Sequence, residues 1–314
     1  KHVVTANKAV IFHHGDEIFK EAALNGVKVL FESSVCAGTP IIKLLFEELA
    51  ANKITKIAGM LNGTSNFILS NMEEGADFKP TLELAQKEGY AEPDPTFDIE
   101  GMDAAHKIGI LSSLAFGTPL PPEDFYIEGI SEIEKIDFKY AMEMGYTVKH
   151  LAVTKYNQGN IELRAHPVLI DSNSYLANLK SVRNGIEVET DLLGTLHIAG
   201  SGAGQESTAS GVISDIVHLA NSNINIAKKV ALNKTNLVDF LTLSFQYYFY
   251  IEAEDIPGVM ASITSMFAEK KVGIESIVQK EDLAENMVPI VLITDPFIEK
   301  DHKELISNIL NLDS

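Results

Sequence analysis

The sequence has one cysteine, no tryptophan and no run of about eighteen apolar residues among its 314 positions. Cys36 alone builds neither an intramolecular disulfide nor a cysteine-based zinc site, which suits a reducing compartment. Basic residues are scarce as well, since 25 of them against 44 acids leave a net charge of −19 with no local block of lysine or arginine. Charge of that sign repels a phosphate backbone, so no nucleic acid is expected as a partner. No basic-then-apolar leader opens the chain and no span is long enough for a membrane, so the expectation is a cytoplasmic protein without a membrane partner. What is present, 46% apolar and 22% charged residues, describes a globular protein with chain enough for two or three cores.

Strand and helix patterns alternate along the first part. Val27 to Phe31 reads as a short buried strand after helical spacing over 15–25, Pro40 opens a helix over Ile41 to Ala51, and Ile54 to Met60 is the next strand. Residues 80–88 are predicted helical, and Pro93 and Pro95 force a loop after them. Ile108, Leu111, Leu114 and Ala115 recur with helical period over Met102 to Phe116, closing at Gly117 and the cluster Pro119, Pro121 and Pro122. Strands follow at 148–155, 160–165 and 186–190, with turns expected at Asn157-Gln158-Gly159 and at Asn184-Gly185. A polar stretch within 222–246 marks a domain boundary. The last segment is predicted as strand (247–252), helix (259–270), strand (274–280), strand (287–293) and helix (298–311), a ferredoxin-like βαββαβ order lacking its final strand. The fold class is α/β with α+β character: the end of a Rossmann-type domain, a mixed-sheet domain with helices, and the ferredoxin-like module.

Asp103 and Lys107 stand four residues apart, on one face of the predicted helix. Alone they are a surface ion pair; the loop from Gly89 to Asp98, with Glu92, Asp94 and Asp98 on a proline-stiffened backbone, makes a site for an ammonium-bearing ligand plausible chemistry. The run Gly200-Ser201-Gly202-Ala203-Gly204 sits between a strand and a helix but misses the G-x-G-x-x-G spacing, so it is either a helix-capping loop or a close backbone approach to a cofactor. Glu32 to Pro40 offers one carboxylate among turning carbonyls, hard oxygens of the kind cations take. His13-His14 lacks a zinc-binding spacing, and Asn62-Gly63-Thr64 reads as a turn presenting backbone amides.

Five segments together resemble homoserine dehydrogenase: KHVVTANK (1–8), FESSVCAGTPII (31–42), GMLNGTSNFIL (59–69), GYAEPDPTFDIEGMDAAHK (89–107) and GSGAGQESTAS (200–210). The segment from Tyr247, with Asp255-Ile256-Pro257-Gly258-Val259 turning into a helix, resembles an ACT domain. The resemblance implies three parts: residues 1–30 as the end of a dinucleotide-binding domain largely missing from the chain, 31–235 as catalytic and dimerisation domain, and 246–314 as an incomplete ACT regulatory domain. It implies NAD(P)-dependent interconversion of L-homoserine and L-aspartate 4-semialdehyde, in the route to threonine, methionine and isoleucine. Lys107 then carries the proton, with Asp103 beside it as a catalytic and substrate-binding carboxylate. Glu92 and Lys8 hold substrate, and Lys8, Gly89, Gly202 and Gly204 lie near the cofactor. Glu32, Val35, Ala37 and Thr39 match a monovalent-cation site for sodium or potassium. A homodimer or homotetramer and an amino-acid effector, most readily threonine, are implied partners.

Two rivals stand beside this reading. A non-catalytic amino-acid-sensing or assembly subunit would account for the missing dinucleotide part, but has no use for Glu92, Asp103, Lys107 and Lys8 together. A semialdehyde dehydrogenase with Cys36 as nucleophile lacks a histidine at recognisable spacing. If Lys107 lies on a helix surface, alanine there is expected to leave the fold intact.

Overall fold

The computed structural model describes residues 1–121, 124–221, 235–279 and 287–311. Pro122 and most of the polar boundary stretch lie outside the described residues. Lys1–Leu237 and Val238–Ser314 form two compact units.

The first unit opens with β1 (Val3–Val4), α1 (Lys8–Leu24) and β2 (Val29–Leu30), the two strands pairing in parallel across the helix. The helix starts well before the predicted residue 15, because Asn7 accepts the Val10 N–H at 3.1 Å and caps it, which puts Lys8 in its first turn. Ile41 to Ala51 does not form the regular helix expected. It holds a wide turn over Leu44–Glu48, closed by the Leu49 N–H on the Leu44 carbonyl at 2.9 Å.

The main sheet then assembles around β3 (Ile54–Met60), with α2 (Gly63–Glu73), α3 (Phe78–Lys87), α4 (Thr96–Ile99), α5 (Met102–Phe116), β4 (Tyr126–Ile127) and α6 (Lys135–Glu143) following in the chain. Next come β5 (Tyr146–Asn157), β6 (Asn160–Asp171), β7 (Arg183–Thr190), β8 (Gly194–Ser201), α7 (Gln205–Asn221) and β9 (Asn236–Leu237). The strand order is β4-β6-β5-β3-β7-β8, with β9 alongside β6. β5 and β6 turn at Gln158 and Gly159, both at positive φ, where the sequence places a turn. Asn184-Gly185, also expected to turn, lies inside β7. A side chain on Gly185 would begin 2.0 Å from a Leu179 methyl, so that glycine serves close packing.

Ile57, Ile108, Leu111, Ile186 and Val188 are wholly buried between α5 and the sheet. Burying each such side chain contributes about 1.5–3 kcal/mol. α5 is covered nearly all round, Ala104, Ala105 and Gly109 letting its neighbours close in; a side chain on Gly109 would start 2.5 Å from the Phe12 ring of α1. No helix among the described residues is long and apolar enough to cross a membrane.

The second unit contains β10 (Ser244–Phe245), β11 (Tyr248–Glu254), α8 (Val259–Glu269), β12 (Ile274–Gln279), β13 (Met287–Thr294), β14 (Phe297–Ile298) and α9 (Glu299–Leu310). β11, β13 and β12 form an antiparallel sheet in that order, and β10 pairs with β14. Phe249, Ile263, Phe267, Ile290, Leu292 and Leu305 fill its core.

Gly129 joins β4 to the α4 region so tightly that a side chain there would begin 2.4 Å from the Ile99 carbonyl oxygen and 2.6 Å from the Glu100 Cα. Backbone atoms cannot rotate aside, so Gly129→Ala is expected to cost about 3 kcal/mol. Gly145 has φ +84 with open space around it, and Gly145→Ala should cost only about 1 kcal/mol. Urea unfolding of both variants checks the order; equal losses would show that the Gly129 contact relaxes.

Candidate active site

Gly101, at φ +83, starts α5 and leaves Asp103 in its first turn and Lys107 one turn later. The Lys107 ammonium donates to Asp103 Oδ2 at 2.6 Å and to the Leu61 carbonyl at 2.6 Å. Asp103 Oδ1 accepts from Lys8, 95 residues away in sequence. The Lys8 ammonium also lies 4.7 Å from the centroid of the Phe97 ring. Asp103 and Lys107 are 6% and 9% exposed, so Lys107 is not on a helix surface and its removal would disturb a buried pair.

Burial is the largest influence on each charge and works against it. For Asp103 it is outweighed by Lys107 and then Lys8, which hold the carboxyl well below the usual carboxylate range. For Lys107 it is outweighed by the combined pull of its surroundings, Asp103 foremost and Asp98 among them, and the ammonium is held above the ordinary lysine value. Burial, followed in the same direction by the Asp103 charge, raises Asp98 despite its bond from Asn62. Burial also pushes the Cys36 thiol up, which keeps it neutral and unsuited to act as a nucleophile.

Asn62 does more than turn the chain. Its Oδ1 accepts the Ser65 N–H at 2.7 Å, capping α2, while Nδ2 donates to Asp98 Oδ1 at 2.7 Å and Asp103 Oδ2 at 2.8 Å. Thr64 Oγ1 donates to the Tyr90 carbonyl at 2.6 Å and ties the acidic loop to the same helix. Of the acids in that loop only Asp98 joins the network. Asp94 accepts locally from the Thr96 N–H and hydroxyl, and Glu92 stays exposed, its carbonyl held by Gln86. Gly89 has φ +76, and none of the described residues comes within 4 Å of where its side chain would begin.

The glycine run has packing reasons. A side chain on Gly200 would begin 2.6 Å from Thr39 Oγ1, and one on Gly202 would begin 2.2 Å from Asn184 Oδ1; Gly204 has φ +113. Glu32 accepts the Ile42 and Lys43 N–H groups at 2.9 Å, one on each oxygen, and its own N–H donates to Asp215 at 3.0 Å. Burial raises its pKa against those two amides. Val35, Ala37 and Thr39 are buried in the same loop. Sequence reasoning read Asn184 and Asn62 only as turns and passed over the Leu61 carbonyl and Phe97; the contacts that bring them to the site are with residues distant in the chain.

The sequence profile of the family described as homoserine dehydrogenase matches residues 40–217. A homoserine dehydrogenase of Pseudomonas aeruginosa is 45% identical over 311 residues, which cover 96% of this chain and 72% of that protein. The chain belongs to the homoserine dehydrogenase family. A homoserine dehydrogenase of Helicobacter pylori is 40% identical over all of this chain and 75% of its own length. The crystal structure of a homoserine dehydrogenase from Thiobacillus denitrificans superimposes with a TM-score of 0.93 at 43% identity, covering 100% of this chain and 74% of that one. A hyperthermophilic archaeal homoserine dehydrogenase solved in complex with NADPH matches 71% of this chain and 66% of that one, with a TM-score of 0.61 at 32% identity. The chain is an oxidoreductase, and its similarity to homoserine dehydrogenases extends well beyond the five motifs.

Asp103→Asn keeps the shape of the side chain but strands the buried Lys107 charge. The expected loss is about 3 kcal/mol of stability at pH 7. Because the folded-state pKa of Asp103 is depressed, its contribution is present above the unfolded value and fades only as pH falls through the folded value. The stability gap between wild type and variant should stay level from pH 7 to about 4 and shrink below it. Urea unfolding across that range measures the gap; one that closes already near pH 6 would contradict the ion set.

Proposed function

We propose that this chain interconverts L-homoserine and L-aspartate 4-semialdehyde, with Lys107 carrying the proton to and from the substrate oxygen. The observation that carries this is the buried pair of Asp103 and Lys107, joined by the partly buried Lys8. An ammonium has three N–H bonds, and those of Lys107 to Asp103 and Leu61 leave one for a substrate oxygen. In the reducing direction that N–H binds the aldehyde oxygen, its charge stabilises the developing alkoxide, and its proton completes the alcohol. In the oxidising direction a neutral Lys107 takes the hydroxyl proton. Asp103 keeps the ammonium in place and Lys8 balances the carboxylate. Glu92 and Lys8 take the polar groups of the substrate, with Glu92 closing from the exposed loop.

NAD(P) supplies or takes the hydride when bound, a reading supported by the archaeal relative solved with NADPH. Gly89, with open space beside its backbone, and Gly204 fit the near side of such a group, and Gly202 and Lys8 are read beside them. A monovalent cation, sodium or potassium, is assigned to Glu32 and the carbonyls of Val35, Ala37 and Thr39. Each Glu32 oxygen accepts one described backbone amide and keeps lone-pair capacity for it. The second unit is read as an ACT module that takes an amino-acid effector, threonine, where modules pair edge to edge in a homodimer or homotetramer. Its three-stranded order, with β11 and β12 outermost, supports that pairing.

Lys107→Met is expected to lower kcat by about a thousandfold while retaining the fold. In the wild type, homoserine oxidation should keep rising beyond about pH 9, since the neutral amine is reached only above the ordinary lysine range. Initial rates against pH decide this; an inflection near pH 7 would assign the proton to another group. For regulation, threonine titrated against initial rate should inhibit the chain with its second unit and not a version ending at Leu237. Equal inhibition of both would remove the sensor role.

A further inference from the structure

Asn184 in β7 is 0% exposed and has no place in the roles above. Its amide nitrogen donates to the Leu61 carbonyl at 2.9 Å and to the Cys36 sulfur at 3.1 Å. The same Leu61 carbonyl accepts from Lys107 at 2.6 Å. A peptide carbonyl has two lone pairs, so Lys107 and Asn184 together saturate it. Asn184 Oδ1 is buried without a hydrogen-bond partner among the described residues and stands 2.2 Å from where a Gly202 side chain would begin.

A buried amide with its oxygen unmet is a poor way to fill space, because such an oxygen forfeits its hydration and an apolar side chain would not. The two donated bonds must therefore supply something that packing does not. We propose that Asn184 is a positioning residue for the reaction: it fixes the Leu61 carbonyl on which Lys107 is hung, and thereby aims the remaining ammonium N–H. With Asn184 in place only one lone pair of Leu61 is open to Lys107, and the ammonium has a single seat. Without it the carbonyl offers two, and the third N–H sweeps across the substrate oxygen instead of pointing at it. Gly202 completes the arrangement from the far side, since any larger residue there would displace the amide. The glycine loop is in this way coupled to Lys107 through Asn184 and Leu61.

This inference rests on Lys107 as the proton carrier, and a double-mutant cycle separates the two. Asn184→Ala should lower kcat for semialdehyde reduction about tenfold and leave the substrate KM within about twofold, the signature of misdirected chemistry with intact binding. In a Lys107→Met background, adding Asn184→Ala should change the residual rate by less than about twofold, because its effect passes through the missing ammonium. Should Asn184→Ala fail to fold, Asn184→Leu, which fills nearly the same space without donating to the Leu61 carbonyl, makes the same measurement. Losses that multiply in the double variant would overturn the role of Asn184 alone. Near-normal turnover in Lys107→Met would overturn the proton carrier, and the positioning role with it.

Discussion

The Asp103 carboxylate between two ammonium groups is the contact on which the rest of the site depends. The buried charges of Asp103 and Lys107 are costly singly, and their pairing, supported by the partly buried Lys8, the Asn62 amide and the Leu61 carbonyl, makes the arrangement tolerable. The helix carrying Asp103 and Lys107 must then be held rigidly, which explains why α5 is buried on nearly every side and built with small residues where α1 crosses it. α1 in turn carries Lys8 in its first turn. The packing of Phe12 against Gly109 and the stacking of its ring on His106 at 4.1 Å fix the helix that brings the second lysine to the carboxylate.

The peptide unit between Leu61 and Asn62 is the meeting point of these elements. Its carbonyl takes two donors, one from α5 and one from β7, while the next side chain caps α2 and bridges two carboxylates. β3 ends immediately before this unit, so the central strand of the sheet delivers the acceptor against which Lys107 is set. Asn62 also moderates the repulsion of Asp98 and Asp103 by donating to both. Lacking that bridge, the partly buried Asp98 carboxylate would lose the hydrogen bond that offsets burial and the Asp103 charge.

Much of this architecture was legible in the sequence because helical and strand periods report burial directly. Met102 to Phe116 and Ile54 to Met60 are found at their predicted bounds. The extent of α1 was not legible, since its capping residue lies before the apolar spacing becomes regular, and Asn184-Gly185 carries a turn signal that tertiary packing overrides. At the site, Asp103 and Lys107 were visible as an i,i+4 pair, but their burial was not. Period alone marks the apolar stripe of a helix and is silent on whether the polar side meets water or Lys8. The only signal at Asn184 was that turn, because its hydrogen-bond partners Cys36 and Leu61 are far away in sequence.

Two buried carboxylates in one unit show how partners decide what a residue type does. Glu32 is 4% exposed, as deeply placed as Asp103, yet its described side-chain donors are the amides of Ile42 and Lys43, neutral groups that leave burial dominant and its pKa raised. Asp103 meets two ammonium groups, and its pKa falls. A raised carboxyl bound to amides serves to pin a loop or to receive a cation that would lower it again. A depressed carboxylate locked to lysines is a permanent negative charge. The division of labour between Glu32 and Asp103 follows from those partners, and depth in the fold does not distinguish them.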